Sequence, residues 1–343
     1  MKRESRGRNL SIRTPWEVDV PGLRIGLIGL GRHGMRYAQH MRELAPRATL
    51  VAVCRRDALQ GAAFADTHGL RFHNDFRALI ADPHVDAVVV VTPPSLTSVI
   101  CGEAIRANKP LLIEKPLAMS GAVARTMAEA AESARVPLMT AQTLRFDSTI
   151  QALAGTISKA DTCRHVALTY HLEPASTARE ESVEAIGRDM LYQIGTHLFD
   201  LIRFLTHDEI AEVRCDMDLA GQGAADSRAI VSLQTTRNVS CLLDVARIGT
   251  QRVSRIEWTG EQVQISADWV HRRLRRIGPP AGTHEWTVPP CHTVIETIRA
   301  FIGALEQGDP MPITGWDGYH AVAIADACAA SATTGKTVQV AGR

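Results

Sequence analysis

The sequence predicts an α/β chain in two parts: a doubly wound parallel sheet with helices on both faces, then an α+β domain with consecutive strands. Three observations predict it. Apolar strand-like runs alternate with helical periodicity from about Leu23 to Gln142. The run DAVVVVTPP (86–94) is so uniformly β-branched that both of its faces must be covered, as in a parallel sheet. After about Leu144 several strand-like segments follow one another without helices between them, which suits antiparallel pairing.

In order, LRIGLIGL (23–30) reads as a strand ending in glycine, and MRYAQHMREL (35–44) has helical spacing. TLVAVC (49–54) is a second buried strand, and ALQGAAFADTHG (58–69) is a helix closed by Gly69. FRALIADP (76–83) is a short helix stopped by proline. Residues 95–109 form a helix, PLLIEKP (110–116) a strand, 121–134 a helix and VPLMTAQ (136–142) a strand. Beyond these come a helix from Asp147 to Lys159, a strand over 164–174 and a helix over 183–205. Four strand-like segments between about 209 and 267 follow, then helices over 293–308 and 318–335. The expected division is an N-terminal arm (1–22), a dinucleotide-type domain (23–143) and a second domain (144–343).

Composition narrows the function. The 38 basic and 37 acidic residues nearly cancel, which argues against a nucleic-acid footprint. No apolar run approaches a membrane span, and the basic start lacks the apolar stretch of a secretory signal. Seven scattered cysteines without a CxxC pair suit reduced thiols, hence a cytoplasmic location, and no metal-ligand cluster is evident.

Gly29-Leu-Gly31-Arg32-His33-Gly34 is a G-x-G-x-x-G motif between a strand and a helix, the context that dinucleotide binding requires. Gly29 permits the turn, Gly31 lets backbone amides approach a pyrophosphate, and Gly34 lets the helix pack close to the strand. At the end of the second strand, where a carboxylate would hold an NAD ribose, stand Arg55 and Arg56. Arginine forks suit the 2′-phosphate of NADP; the alternative is two solvated arginines, with Asp57 on the ribose. Thr92, Pro93 and Pro94 end another strand, on the side where such sheets bind ligands. The chain has five lysines against 33 arginines, yet Lys115 sits at a strand end between Glu114 and Pro116. An ammonium near a positive nicotinamide has a lowered pKa and can shuttle a proton; the plain alternative is a solvated strand-end lysine.

RIGLIGLGRHG, VVVTPPS and LIEKPLA, in this order and spacing, resemble the glucose-fructose oxidoreductase / inositol dehydrogenase / MocA family of NAD(P)-dependent oxidoreductases. The resemblance continues through TLRFD (143–147), YQIGTHLFDLIRFL (192–205) and PITGWDGYHAVAIADACAA (312–330). It implies a Rossmann domain plus a C-terminal domain with an open, mostly antiparallel sheet, through which members form dimers or tetramers. It makes Lys115 the family's catalytic lysine. The family's D-x-G-x-H signature appears here as Gln193-Ile-Gly195-Thr-His197. By resemblance His197 is the general base and Gly195 leaves room for the cofactor. Gln193 positions the substrate but, being neutral, leaves His197 a weaker proton acceptor than a carboxylate neighbour would. Asp189 supplies the missing charge or caps the helix. Thr97 stands where many members carry histidine, so a reshaped pocket is expected.

Arg145, Tyr170 and His171 are candidate pocket-lining residues, although a purely structural sheet would carry such residues too. His292 beside Cys291, and HRRLRR (271–276), are read as solvated structure. The function expected is an NADP(H)-preferring oxidoreductase that interconverts a secondary alcohol and a ketone on a sugar, cyclitol or related polyol. Its alternatives are a redox-neutral NAD(P)-dependent epimerase or eliminating enzyme, and a non-catalytic dinucleotide sensor.

Overall fold

β-Branched, apolar strands without a polar face build the first sheet. The computed structural model describes residues 22–157, 161–173, 189–219, 227–248 and 250–343. In chain order the first part comprises β1 (Leu23–Ile28), α1 (Arg32–Arg42), β2 (Ala48–Cys54), α2 (Ala58–His68), β3 (Arg71–His73) and α3 (Phe76–Ala81). It continues with β4 (Ala87–Val90), α4 (Thr97–Arg106), β5 (Leu111–Glu114), α5 (Gly121–Ala134) and β6 (Leu138–Ala141). Every residue of β4, β5 and β6 is buried. All six strands pair in parallel, in the order β3-β2-β1-β4-β5-β6. The chain reverses direction across the sheet between β1 and β4, and a crevice opens there at the strands' C-terminal ends.

The second part holds α6 (Ser148–Thr156) and β7 (Cys163–Leu172), then a π-helical turn (Asp189–Gly195) that runs directly into α7 (Thr196–Thr206). β8 (Ile210–Leu219), β9 (Ser227–Thr235), β10 (Ser240–Arg247), β11 (Val253–Gly260), β12 (Gln264–Asp268), β13 (Arg273–Gly278) and β14 (Gly282–Thr287) follow. The chain ends with α8 (Thr293–Gln307), α9 (Gly315–Thr334) and β15 (Val338–Gln339). The nine strands form one sheet, ordered β14-β13-β12-β11-β7-β10-β9-β8-β15, antiparallel except where β10 runs beside β7.

One departure from the sequence expectations has a physical cause. The segment 255–267, taken as one strand, is the hairpin β11–β12, because Asp161 accepts the backbone N–H groups of Glu261, Gln262 and Val263 and fixes a turn there. HRRLRR, read as solvated structure, lies largely on β13, next to the edge strand β14, with Arg273 and Arg275 exposed on either side of buried Leu274.

Helices α8 and α9 tie the two parts together. The apolar stripe of α8 (Val294, Ile298, Phe301, Ile302) packs into the same core as Ile25 and Leu27 of β1 and Tyr37 and Met41 of α1. Helix α9 opens with a capping box between Thr314 and Asp317 and packs against α5, α7 and β8.

Candidate active site

The glycine turn is built by close approach. Gly29 has φ +104°, and a Cβ there would lie 2.2 Å from the Val91 carbonyl oxygen. A Cβ on Gly34 would lie 1.8 Å from the Gly29 carbonyl oxygen. Gly31 differs: nothing stands within 4 Å of where its Cβ would be, and it lines a cleft of about 690 Å³. Gly31 is also the N-cap of α1, with no side chain capping the helix and no acid in its first turn. Open space over uncapped N–H groups fits a phosphate. Arg32, His33 and Arg36 of α1 line the same cleft.

At the end of β2, Arg55 Nη1 donates to the Leu30 carbonyl (2.8 Å) and Nη2 donates to Gln60 Oε1. The guanidinium is thereby held next to the glycine turn. Arg56 is exposed, and Asp57 accepts the Gln60 N–H as the N-cap of α2 (3.0 Å). From the β4 end, Val91, Thr92 and Pro94 form the wall between the glycine turn and the catalytic candidates, whereas Pro93 is not among the cleft residues. Thr92 Oγ1 is buried without a hydrogen-bond partner among the described residues, a polar atom left for a ligand. Thr97 does not face the cleft. It is buried, and its hydroxyl bridges the Pro94 and Leu117 carbonyls (2.8 and 2.7 Å), stitching this loop to the one after Lys115.

Glu114 and Lys115 leave the end of β5 before a cis bond to Pro116. Lys115 Nζ crosses to the second domain and donates to the Gln193 carbonyl at 2.7 Å. The π-helical turn presents that carbonyl, and α7 places His197 beside it; Gln193, His197 and Thr143 complete the cleft. His197 Nδ1 has no hydrogen-bond partner among the described residues. Burial first, then the nearby Lys115 ammonium and the His33 ring, hold its pKa well below 6.5, so the imidazole is neutral. Glu114 is the one acid among the described residues that line the cleft. Its Oε1 meets His33 Nε2 (2.8 Å) and accepts the Tyr37 hydroxyl (2.6 Å), and Oε2 accepts the Lys115 N–H (3.0 Å). Burial, and secondarily Glu114, push the Tyr37 phenol well above 10, so it stays a donor.

Several sequence candidates are placed elsewhere. Arg145 does not line the cleft. Its guanidinium is taken up by Asp200 (2.7 and 2.6 Å) and Asp317 (2.8 Å), in a buried cluster that also holds Arg203 and locks α7 to α9. Tyr170 and His171 are neighbours on β7 and so face opposite ways. Tyr170 stacks on Trp269 (centroids 5.7 Å apart), whereas His171 lies 3.3 Å from Asp244 on the other face. Neither is among the cleft residues. Asp189 is the first residue of the π-helical turn; the choice between cap and charge for its carboxylate lies outside the described residues. The room left by Gly195 is already bounded by the Phe199 ring (2.9 Å) and the Met190 carbonyl (3.4 Å), so helix packing explains this glycine. Sequence reasoning missed Arg36 and Tyr37, although their spacing of three and four from His33 puts them on its helix face. Val294, from α8, carried no signal.

A doubly wound sheet with an open glycine turn, facing a lysine and a neutral histidine across one cleft, defines a dinucleotide-dependent enzyme. Residues 23–142 match the family model described as an oxidoreductase family with an NAD-binding Rossmann fold, and residues 154–266 match the GFO/IDH/MocA C-terminal domain. The chain belongs to this family and is an NAD(P)-dependent oxidoreductase. It is 27% identical to an inositol 2-dehydrogenase from Rhizobium meliloti (strain 1021), over 93% of this chain and 99% of that one. It is 28% identical to a 1,5-anhydro-D-fructose reductase from Ensifer adhaerens, over 86% and 93%. The crystal structure of an oxidoreductase domain protein from Kribbella flavida superposes with a TM-score of 0.83 at 25% identity, covering 94% of this chain and all of that one.

Proposed function

We propose that the protein is an NADP(H)-preferring oxidoreductase that interconverts a secondary alcohol and a ketone on a sugar, cyclitol or related polyol. The observation that carries this reading is the convergence of Lys115 and a neutral His197 on the cleft whose other end is the open glycine turn. The inositol dehydrogenase and anhydrofructose reductase similarities support the polyol class. The NADP preference rests on Arg55, a guanidinium fixed beside the glycine turn where no strand-end carboxylate competes.

Gly31 and the first amides of α1 would hold the cofactor's pyrophosphate, and Arg55 its 2′-phosphate. The bound nicotinamide supplies the hydride donor or acceptor. Neutral His197 accepts a proton from a substrate hydroxyl as it becomes a carbonyl. In the other direction the His197 imidazolium returns that proton to the oxygen that becomes hydroxyl, while the Lys115 ammonium, steadied by the Gln193 carbonyl, hydrogen-bonds the same oxygen. The Gln193 side chain orients the substrate by hydrogen bonding.

We further infer a homodimer or homotetramer joined through the nine-stranded sheet, whose face carries exposed Leu242 and Ile277. Seven free cysteines support a reducing, cytoplasmic setting, and among the described residues no helix is long and apolar enough to cross a membrane.

The test is a fluorescence titration with NADPH and NADH after a check for copurifying cofactor. Tighter NADPH binding that Arg55→Asp weakens by about tenfold or more is expected. Equal binding of both nucleotides, unchanged by Arg55→Asp, would remove the 2′-phosphate assignment. Tightly held cofactor that does not exchange would instead favour a redox-neutral epimerase or eliminating enzyme. Binding of neither, with no cofactor copurifying, would favour a non-catalytic role.

A further inference from the structure

The second variable position of the glycine motif carries an ionisable ring into the cleft. His33 begins on α1, its side chain is 45% exposed, and Nε2 meets Glu114 Oε1 at 2.8 Å. The ring also stands edge-on to Tyr37, with centroids 5.4 Å apart and planes at 82°. Glu114 cannot turn away, because Tyr37 and the Lys115 N–H hold both of its oxygens and its side chain is only 10% exposed. A partly accessible imidazole is thus bound to a fixed, nearly buried carboxylate.

The charges around this pair give it a consequence. On its own helix His33 is accompanied by Arg32, Arg36 and Tyr37; from the end of β5 come Glu114 and Lys115; from α7 comes His197. Glu114 is the sole acid among the described residues lining the cleft, and His33 is the ionisable ring in contact with it. The influence of His33 reaches the chemistry, since its ring is one cause of the lowered His197 pKa. Oxidised and reduced nicotinamide differ by one positive charge on the ring, and nearby charges discriminate between them.

We propose that His33 and Glu114 form a specificity-determining pair that sets the cleft's preference between oxidised and reduced cofactor. With His33 protonated the pair is neutral and the cleft favours the uncharged reduced ring. With His33 neutral, the uncompensated Glu114 carboxylate favours the cationic oxidised ring. The proposal rests on the reading that the nicotinamide end of the cofactor lies at Lys115 and His197.

The experiment measures Kd for NADP+ and NADPH on the full chain between about pH 5.5 and 8.5, the range in which imidazoles titrate. The 2′-phosphate is common to both forms, so its ionisation cancels in the ratio. In the native protein Kd(NADP+)/Kd(NADPH) is expected to fall by about fivefold as the pH rises. In His33→Met the ratio should be flat at the native high-pH value, and in Glu114→Gln it should shift toward NADPH at every pH. His33→Asn serves as a second neutral variant, and retained NADPH binding shows that either variant is folded. A pH-independent ratio in the native protein overturns the proposal. So does a slope that survives in both His33 variants, because it then belongs to Lys115 or His197. Binding of neither nucleotide by the native protein overturns the cofactor reading beneath it, a result distinct from a flat ratio.

Discussion

His197, the proposed base, is held in its neutral form. Burial, the Lys115 ammonium and the His33 ring keep its imidazole neutral well below 6.5, and Gln193, four residues earlier, brings no carboxylate to reverse this. The acid limb of kcat/KM for alcohol oxidation is therefore expected below 6.5. Gln193→Asp should move that limb upward by about one pH unit; an unmoved limb would separate Gln193 from the proton chemistry. The same shift bears on stability. The unfolded chain binds this proton first, so the stability contribution is full above 6.5 and declines as the pH falls below it. Lys115 is tested separately. Lys115→Ala should lower kcat by about a hundredfold or more while NADPH affinity changes little, and unchanged turnover would remove its assignment. At this scale the sequence was informative about residue types at strand ends, since Gly31, Thr92 and Lys115 line the crevice and Arg55 is held beside the glycine turn. It misled at Arg145. A sequence can suggest a cation near a pocket but carries no mark that Asp200 and Asp317, 55 and 172 residues away, will neutralise it.

At the scale of elements, the three glycines of one motif do two different jobs. Gly29 and Gly34 are demanded by backbone already in place, whereas Gly31 keeps space that the protein itself does not fill. The two kinds of glycine predict opposite phenotypes. Gly34→Ala forces a Cβ against the Gly29 carbonyl and should cost about 3 kcal/mol or more of folding stability, read by denaturant unfolding. Gly31→Ala should leave the unfolding midpoint nearly unchanged and weaken NADPH binding by about tenfold or more. If Gly31→Ala binds NADPH normally, the pyrophosphate does not lie over the start of α1. The period-two and period-3.6 patterns made most of these elements legible. The π-helical turn was not, because nothing in DMLYQIG distinguishes it from the first turns of α7. Yet this turn is what offers the Gln193 carbonyl to Lys115.

At the scale of the molecule, the division visible in the sequence is not the division of the core. A boundary near residue 144 follows the change of rhythm along the chain, but α8, some 150 residues later, returns to cover β1 and α1. Linear periodicity reports that Val294, Ile298 and Phe301 form an apolar stripe; it does not report which sheet the stripe will cover. Val294 also lines the cleft, so the same helix joins the nucleotide-binding sheet to the candidate active site. Two consequences follow from this packing. Residues 22–143 alone lack the cover over Ile25, Leu27 and Met41 and should not fold as a stable unit. In the full chain the two sheets should melt together. Phe301 is fully buried in the first core, and Phe301→Ala should cost about 4 kcal/mol. That loss should lower a single calorimetric transition and the loss of NADPH binding by the same interval. If calorimetry instead shows two separated transitions, with only the nucleotide-binding one shifted by Phe301→Ala, then α8 belongs to the first domain as a detached cover. The catalytic alignment of Lys115 with Gln193 and His197 would then depend on the α7–α9 salt-bridge cluster and on α9 alone.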